Sequence, residues 1–216
     1  MLIANFGYLN LLPFGFFLKK MPTSFAMRLS LNKKEGYPAK VSKLYKKSKV
    51  KSAFISSIES RGEKCADVGI VACRKVQSVI VRRGSYKKDR ESLTSNALAR
   101  VLGIDGEVFI GDKALKLYLA DPHGYEDLAA AWYAKHRLPF VFARFCFRSK
   151  HKYLNTLASR FAAQKITLPQ YILQKAAKDR GISAKEAREY LKLIYYKMEQ
   201  KEKKALKLFL FKAKRL

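Results

Sequence analysis

Residues 92–119, SLTSNALARVLGIDGEVFIGDKALKLYL, decide how the chain has to be read. Hydroxyl residues at Ser92 and Thr94 precede Leu98, Val101 and Leu102, a spacing that puts three apolar side chains on one helix face behind a residue able to cap it. Glu107 to Ile110 predicts a short strand. Gly111-Asp112 opens a second helix, with Asp112 expected as the N-cap of a turn carrying Leu115, Tyr118 and Leu119. Short apolar runs alternating with helical patterns are the signature of βαβ units and of a mainly parallel sheet.

The same rhythm extends in both directions. Ile3 to Tyr8 reads as a first strand, Gly15 to Lys20 as one or two helical turns, and Ser24 to Leu29 as an extended segment. Pro38 to Lys47 reads as a helix with proline in its first turn, where a missing N–H costs least. Lys51 to Ser56, Gly69 to Cys73 and Val76 to Val81 follow as strands. Downstream, Glu126 to Lys135 predicts a helix, and Leu138 to Ala143 is an apolar run without polar alternation, as expected of a strand buried on both faces. From Lys150 the pattern is helical and strands stop. Ser183-Ala184-Lys185-Glu186 is a capping box, with Ile182 and Ala187 placed for a hydrophobic staple, and Leu191, Ile194, Tyr195 and Met198 are expected on the buried side of that helix. Lys201 to Leu216 suits either a docked helix or an amphipathic tail. Val76 to Val81 and Phe140 to Ala143 are the natural crossings between two lobes. The expected division is 1–78 as the first part of lobe 1, 79–142 as lobe 2, and 143–216 as the return to lobe 1 with C-terminal helices.

Composition agrees with a globular protein: 49% of the 216 residues are hydrophobic and 12% aromatic, enough burial to offset chain entropy. The formal charge of +28 raises nucleic acid as a partner. That reading needs clustering, and the basic residues are spread from Lys19-Lys20 to Lys214-Arg215, so a solvated basic surface is expected and no specific nucleic-acid partner. Cys65, Cys73 and Cys146 are odd in number and lack metal-type spacing, and are expected as reduced interior residues. The apolar run Leu9 to Leu18 is short and holds Asn10 and Pro13, which suits neither a signal peptide nor a membrane span, so a cytoplasmic location is expected.

Searches for catalytic motifs return little: no Walker loop, no dinucleotide fingerprint, no His-Glu-x-x-His and no nucleophile elbow. His123, His136 and His151 read as surface residues. What remains is a set of uncharged hydrogen-bonding residues at strand-to-helix junctions: Asn10, Ser56-Ser57, Ser78 and Thr94-Ser95-Asn96. Each alone could be a cap or turn residue. Together they suit an anion, because helix N-termini present unpaired N–H groups and a hydroxyl adds a donor without bulk.

Six segments, in order, carry a resemblance: Tyr8-Leu9-Asn10-Leu11-Leu12-Pro13-Phe14, Phe54-Ile55-Ser56-Ser57-Ile58-Glu59, Val76-Gln77-Ser78-Val79, Leu93-Thr94-Ser95-Asn96-Ala97-Leu98, Ile110-Gly111-Asp112-Lys113-Ala114-Leu115, and Asp127-Leu128 with Trp132 before Leu138 to Ala143. Over roughly residues 2 to 145 the chain resembles the chorismate dehydratases that open the futalosine route to menaquinone. The resemblance implies an α/β, two-lobed periplasmic-binding-protein-like fold and a lyase that removes water from chorismate to give 3-[(1-carboxyvinyl)oxy]benzoate. It implies no metal or organic cofactor, chorismate as the small-molecule partner, and later enzymes of the pathway as possible partners. Asn10 falls on the family's active-site asparagine and Ser78 on a serine facing the substrate; Ser56, Ser57, Thr94 and Ser95 match positions expected to bind substrate carboxylates. The chain departs from the family at Arg144-Phe145, where members often carry tryptophan. The base implied is the substrate's own enolpyruvyl carboxylate, with Glu59 as the competing candidate. Three other readings stand beside this one: a non-catalytic small-anion binding protein of the same fold, a basic nucleic-acid-binding protein, and membrane attachment through residues 201–216.

Overall fold

The computed structural model describes residues 3–21, 33–148 and 151–216, and the segment expected to be extended, Ser24 to Leu29, lies outside them. Strands β1 (Ile3–Phe6), β2 (Lys33–Gly36), β3 (Ser52–Ser56), β4 (Cys65–Ala72), β8 (Phe140–Phe147) and β9 (Ile194–Lys197) form one sheet in the order β2-β1-β3-β8-β4-β9. Strands β5 (Val79–Arg83), β6 (Gly106–Ile110) and β7 (Glu126–Asp127) form a second, in the order β6-β5-β7. The chain thus leaves the larger sheet after Ala72 and re-enters it at Phe140.

The α/β class holds, but the expectation of mainly parallel sheets is corrected. β1 pairs in parallel with β2 and β3, whereas β8 runs antiparallel to both β3 and β4, β9 is antiparallel to β4, and β5 is antiparallel to β6 and β7. The cause is the return path. β8 comes back from the smaller sheet in the opposite direction and inserts between two strands that point the other way. Its burial on nearly every residue explains the apolar run in the sequence.

The helices are α1 (Leu12–Lys20), α2 (Pro38–Lys46), α3 (Leu93–Leu102), α4 (Gly111–Ala120), α5 (Leu128–His136), α6 (His151–Ala163), α7 (Gln170–Lys178), α8 (Ala184–Lys192) and α9 (Gln200–Ala213). Ser92 caps α3, its side chain accepting from the Ser95 N–H, and the Ser183/Glu186 capping box opens α8 as the sequence requires. Asp127 caps α5, so that helix begins at Leu128 and Glu126-Asp127 instead form β7. Asp112 is not the cap of α4; Ile110 occupies that position without a side-chain bond. Val76 to Ser78 stay out of β5 because the N–H groups of Val76 and Gln77 turn to the Asp127 carboxylate at 2.8 and 2.7 Å. The expectation that strands stop after Lys150 fails at β9, where Ile194 to Lys197 add an edge strand to β4, and Tyr195 therefore lies on a strand and not on the preceding helix.

Two ring clusters hold the packing. Phe14 meets Phe54, Phe145 and Phe161 at centroid distances of 5.1, 5.6 and 5.0 Å, joining α1, β3, β8 and α6. Phe209 of α9 meets Phe140 at 4.9 Å and Trp132 at 6.2 Å, joining the C-terminal helix to β8 and α5. Ala205, Leu206 and Phe209 are buried, so the C-terminal segment is a docked helix. No helix among the described residues is long and apolar enough to cross a membrane. The cysteine expectation is corrected twice: Cys65 and Cys146 face each other in the β4–β8 register and are disulfide-bonded, and Cys73 is exposed.

Two outcomes follow for experiment. Alkylation of the native, unreduced protein should label Cys73 alone, read as a single mass increment, with all three cysteines labelled after reduction and unfolding. Phe209→Ala should destabilise the protein by about 3–5 kcal/mol in a urea titration, the cost of emptying an aromatic site in a packed core.

Candidate functional site

The ends of both sheets and three helix N-termini meet at one cavity of ≈ 40 Å³. Pro38 brings the start of α2 to its wall, Ser92 and Ser95 the start of α3, and Gly111 the start of α4, all preceded by extended backbone. Each start leaves N–H groups without helical partners and carries the positive end of a helix dipole. Asn10, Ser56 and Ser78 add polar side chains, and Ile70, Val79, Ile110 and Phe142 an apolar floor. Among the described residues no Lys, Arg, His, Asp or Glu lines this cavity. The polar part of the lining therefore consists of neutral side chains and helix starts.

Six positions were expected from the sequence, and the structure sorts them. Asn10, Ser56, Ser78 and Ser95 line the cavity. Asn10 sits on a single 3₁₀ turn, Leu9–Leu11, with its Oδ1 buried and without a partner among the described residues, while its carbonyl accepts from the Tyr196 hydroxyl at 2.6 Å. Ser78 Oγ is 2.9 Å from the hydroxyl of Tyr190. Ser95 Oγ is 2.9 Å from Ser92 Oγ.

Ser57 and Thr94 lie behind the wall. Ser57 donates its hydroxyl to the Val141 carbonyl at 2.6 Å and its N–H to Phe142 O at 3.0 Å, tying the end of β3 to β8. Thr94 Oγ1 accepts from Ile58 N–H at 3.2 Å. Both are almost wholly buried, and neither lines the cavity, so their hydroxyls position the wall. Glu59 does not line it either: its carboxylate accepts from Ser56 Oγ at 3.1 Å and lies 3.6 Å from Lys46 Nζ. His136 packs its ring 4.2 Å from that of Trp132, away from the site.

Sequence reasoning missed four contributors. Tyr8 donates its hydroxyl to Glu91, and burial together with that carboxylate pushes the phenol well above its ordinary range. Its ring also explains Gly111, which has φ +68° and whose added Cβ would lie 2.6 Å from the tyrosine. Gly111 N–H donates to Ser78 O at 2.8 Å, so the start of α4 and the Ser78 segment are locked together. Asp127, expected only as part of a motif, accepts N–H bonds from Val76, Gln77, Ala129 and Ala130, which holds Gln77 at φ +60°. Asp112 accepts from Leu9 N–H at 2.9 Å and from Arg180 Nε at 2.6 Å, and Arg180 also donates to Gly7 O at 2.7 Å. Asp127 and Asp112 look in sequence like ordinary caps; only the fold reveals their distant donors.

Asp112→Ala should lower stability by about 2 kcal/mol in denaturant titration, because Leu9 N–H and the Arg180 guanidinium lose a charged acceptor. Asp112→Asn should recover part of that loss, since one carbonyl oxygen remains.

Comparison with known proteins places the chain in a family and a fold. The chain is 46% identical to a chorismate dehydratase of Campylobacter jejuni, with all of this chain and 99% of that protein covered. A crystal structure of a protein from Archaeoglobus fulgidus superposes with a TM-score of 0.72 at 14% identity, covering 99% of this chain and 96% of the other. The periplasmic aliphatic sulphonate binding protein of Escherichia coli superposes at 0.62 with 11% identity, over 100% of this chain and 85% of its own. A Candida albicans protein described as having the generic periplasmic binding protein fold superposes at 0.54 with 11% identity, over 100% of this chain and 90% of its own. These likenesses establish the fold. Residues 96–215 match the family model described as menaquinone biosynthesis, and with the full-length relative this shows that the chain belongs to the menaquinone biosynthesis family.

Proposed function

We propose that this chain is a hydro-lyase, a chorismate dehydratase that converts chorismate to 3-[(1-carboxyvinyl)oxy]benzoate in the first step of futalosine-route menaquinone biosynthesis, acting in the cytoplasm. The observation that carries the reading is the uncharged cavity rimmed by three helix N-termini, in a chain 46% identical to a chorismate dehydratase over its whole length. Chorismate carries two carboxylates, and N-terminal N–H groups with hydroxyls bind such groups without a cation.

In this reading the two sheets belong to two lobes, the larger built on the chain up to Ala72 and from Phe140 onward and the smaller on Val79 to His136, so the expected boundary at 142 moves to the start of β8. The crossings run between Ala72 and Val79 and between His136 and Phe140. A cavity of ≈ 40 Å³ has room for a few waters, whereas small-molecule pockets occupy about 300–1,000 Å³, so the lobes part to admit substrate. Tyr8–Glu91 and the Asp112 bonds to Leu9 and Arg180 are the contacts that re-form on closure.

The substrate's enolpyruvyl carboxylate takes the ring proton. The electron pair of that C–H bond enters the ring as the neighbouring hydroxyl departs, and hydroxyl and proton leave as water. Aromatisation supplies the driving force, so positioning is the main catalytic device. Asn10 orients the substrate and hydrogen-bonds the departing hydroxyl or a carboxylate. Ser78 and Ser95 hold anionic groups, with Ser56, Ser57 and Thr94 supporting the wall. Neutral donors suit this chemistry, because a cation against the carboxylate would lower its basicity.

The test is turnover of chorismate by the purified protein, followed as formation of the aromatic product by absorbance and mass spectrometry. Asn10→Ala and Ser78→Ala should each lower kcat/KM by about 100-fold, which corresponds to about 2.7 kcal/mol of transition-state stabilisation. Glu59→Gln should keep most of the activity. Chorismate bound but unchanged by the parent protein would instead favour a small-anion binding protein.

A further inference from the structure

A second cavity opens between the end of α6, the loop 164–168, α8 and β9, and none of the six substrate-site candidates lines it. Its volume is ≈ 520 Å³, within the range of about 300–1,000 Å³ that small-molecule pockets occupy. The floor is apolar: Phe161 and Leu173 are buried, with Leu168 and Leu191 partly so. Part of that floor is held in place by the rest of the fold. The Tyr196 ring packs 4.7 Å from that of Phe161, and its hydroxyl is already committed to the Asn10 carbonyl at 2.6 Å, so Tyr196 offers the cavity an aromatic wall.

The charged part of the lining has one sign. Lys165, Arg188, Lys192 and Lys197 line the cavity, and among the described residues no Asp or Glu does. Two of these cations are neutralised from outside: Lys192 pairs with Glu189 at 2.7 Å and Lys197 with Glu199 at 2.5 Å. The other two are not. Lys165 and Arg188 make no ion pair among the described residues, and Arg188 is steadied only by donating to Gln170 Oε1. Uncompensated cations beside an apolar floor are complementary to a ligand with the opposite layout, an apolar body that displaces water from the floor and an anionic head that faces the cations. A guanidinium is suited to that head, since it is weakly hydrated and its planar fork matches a carboxylate with two parallel hydrogen bonds.

We propose that this cavity is a second ligand site, for a small amphipathic acid whose carboxylate faces Lys165 and Arg188 and whose apolar body lies against Phe161, Leu168 and Tyr196. The site is distinct from the uncharged cavity at Asn10 in lining, volume and charge, so the proposal goes beyond the reaction and does not depend on it.

The experiment is calorimetric titration of the full chain with 2-naphthoate, with its uncharged analogue 2-naphthamide and with acetate, at constant ionic strength. 2-Naphthoate should bind one to one with a Kd below about 1 mM, and naphthamide and acetate each at least about tenfold more weakly, since one lacks the head and the other the body. The double variant Lys165→Ala/Arg188→Ala should weaken naphthoate binding at least about tenfold, while Ser78→Ala in the first cavity should change it by less than about twofold. Lys165 and Arg188 are both exposed, so the double variant should melt with the parent. If it does not fold, each single substitution carries the test, with at least about threefold weaker binding expected. Absence of saturable binding overturns the proposal, as does naphthamide binding as tightly as naphthoate. Binding that survives loss of both cations, or that is lost in Ser78→Ala, overturns it too by placing the acid elsewhere.

Discussion

Strand β8 must satisfy its backbone hydrogen bonds along both edges, and the rest of the molecule is arranged around that requirement. It lies between β3 and β4, antiparallel to both, so three segments far apart in sequence are joined in one sheet. Its carbonyls at Val141 and Phe142 take the hydroxyl and N–H of Ser57, and Pro139 O takes the indole N–H of Trp132. Phe140 and Phe145, on the same strand, anchor the two ring clusters. Ser56 of β3 and Ile70 of β4, which border the cavity, are therefore positioned by a strand that itself contributes Phe142 and Ala143 to the wall.

Around the cavity, carboxylates do structural work while neutral groups face the interior. Asp127 binds four backbone N–H groups and holds the Val76–Ser78 segment in place; Asp112 joins Leu9 to Arg180. Both put their negative charge against donors outside the wall. The starts of α2 and α3 carry no acidic residue in their first turn, and Asp112 in the first turn of α4 is paired with Arg180. Among the described residues no charged side chain lines the cavity, so the basic side chains of the described residues lie outside its wall.

Much of the fold was legible because the patterns are local. Ser92 before the Leu98–Val101–Leu102 face, the Ser183–Glu186 capping box and the apolar run of β8 each follow from spacing over a few residues, and each appears where the pattern puts it. Asn10, Ser56, Ser78 and Ser95 were legible as site residues since hydroxyl and amide groups concentrate at strand-to-helix junctions. Ser57 and Thr94 have the same residue types at the same junctions. Which hydroxyl turns inward depends on which carbonyl or N–H the neighbouring strand offers it.

The sequence by itself determined the α/β class, the starts of α2, α3 and α8, the apolar central strand and the ordered motifs that mark the family, because these depend on intervals shorter than one element. Strand direction, the Cys65–Cys146 pairing, the edge strand β9 and the approach of Tyr190 and Tyr196 to Asn10 and Ser78 were decided only in the tertiary structure. The disulfide, the edge strand and the tyrosine contacts each join positions more than 60 residues apart, and nothing in a local pattern says which distant donor a buried polar group will meet. The burial that excludes water also forces those distant groups to satisfy one another.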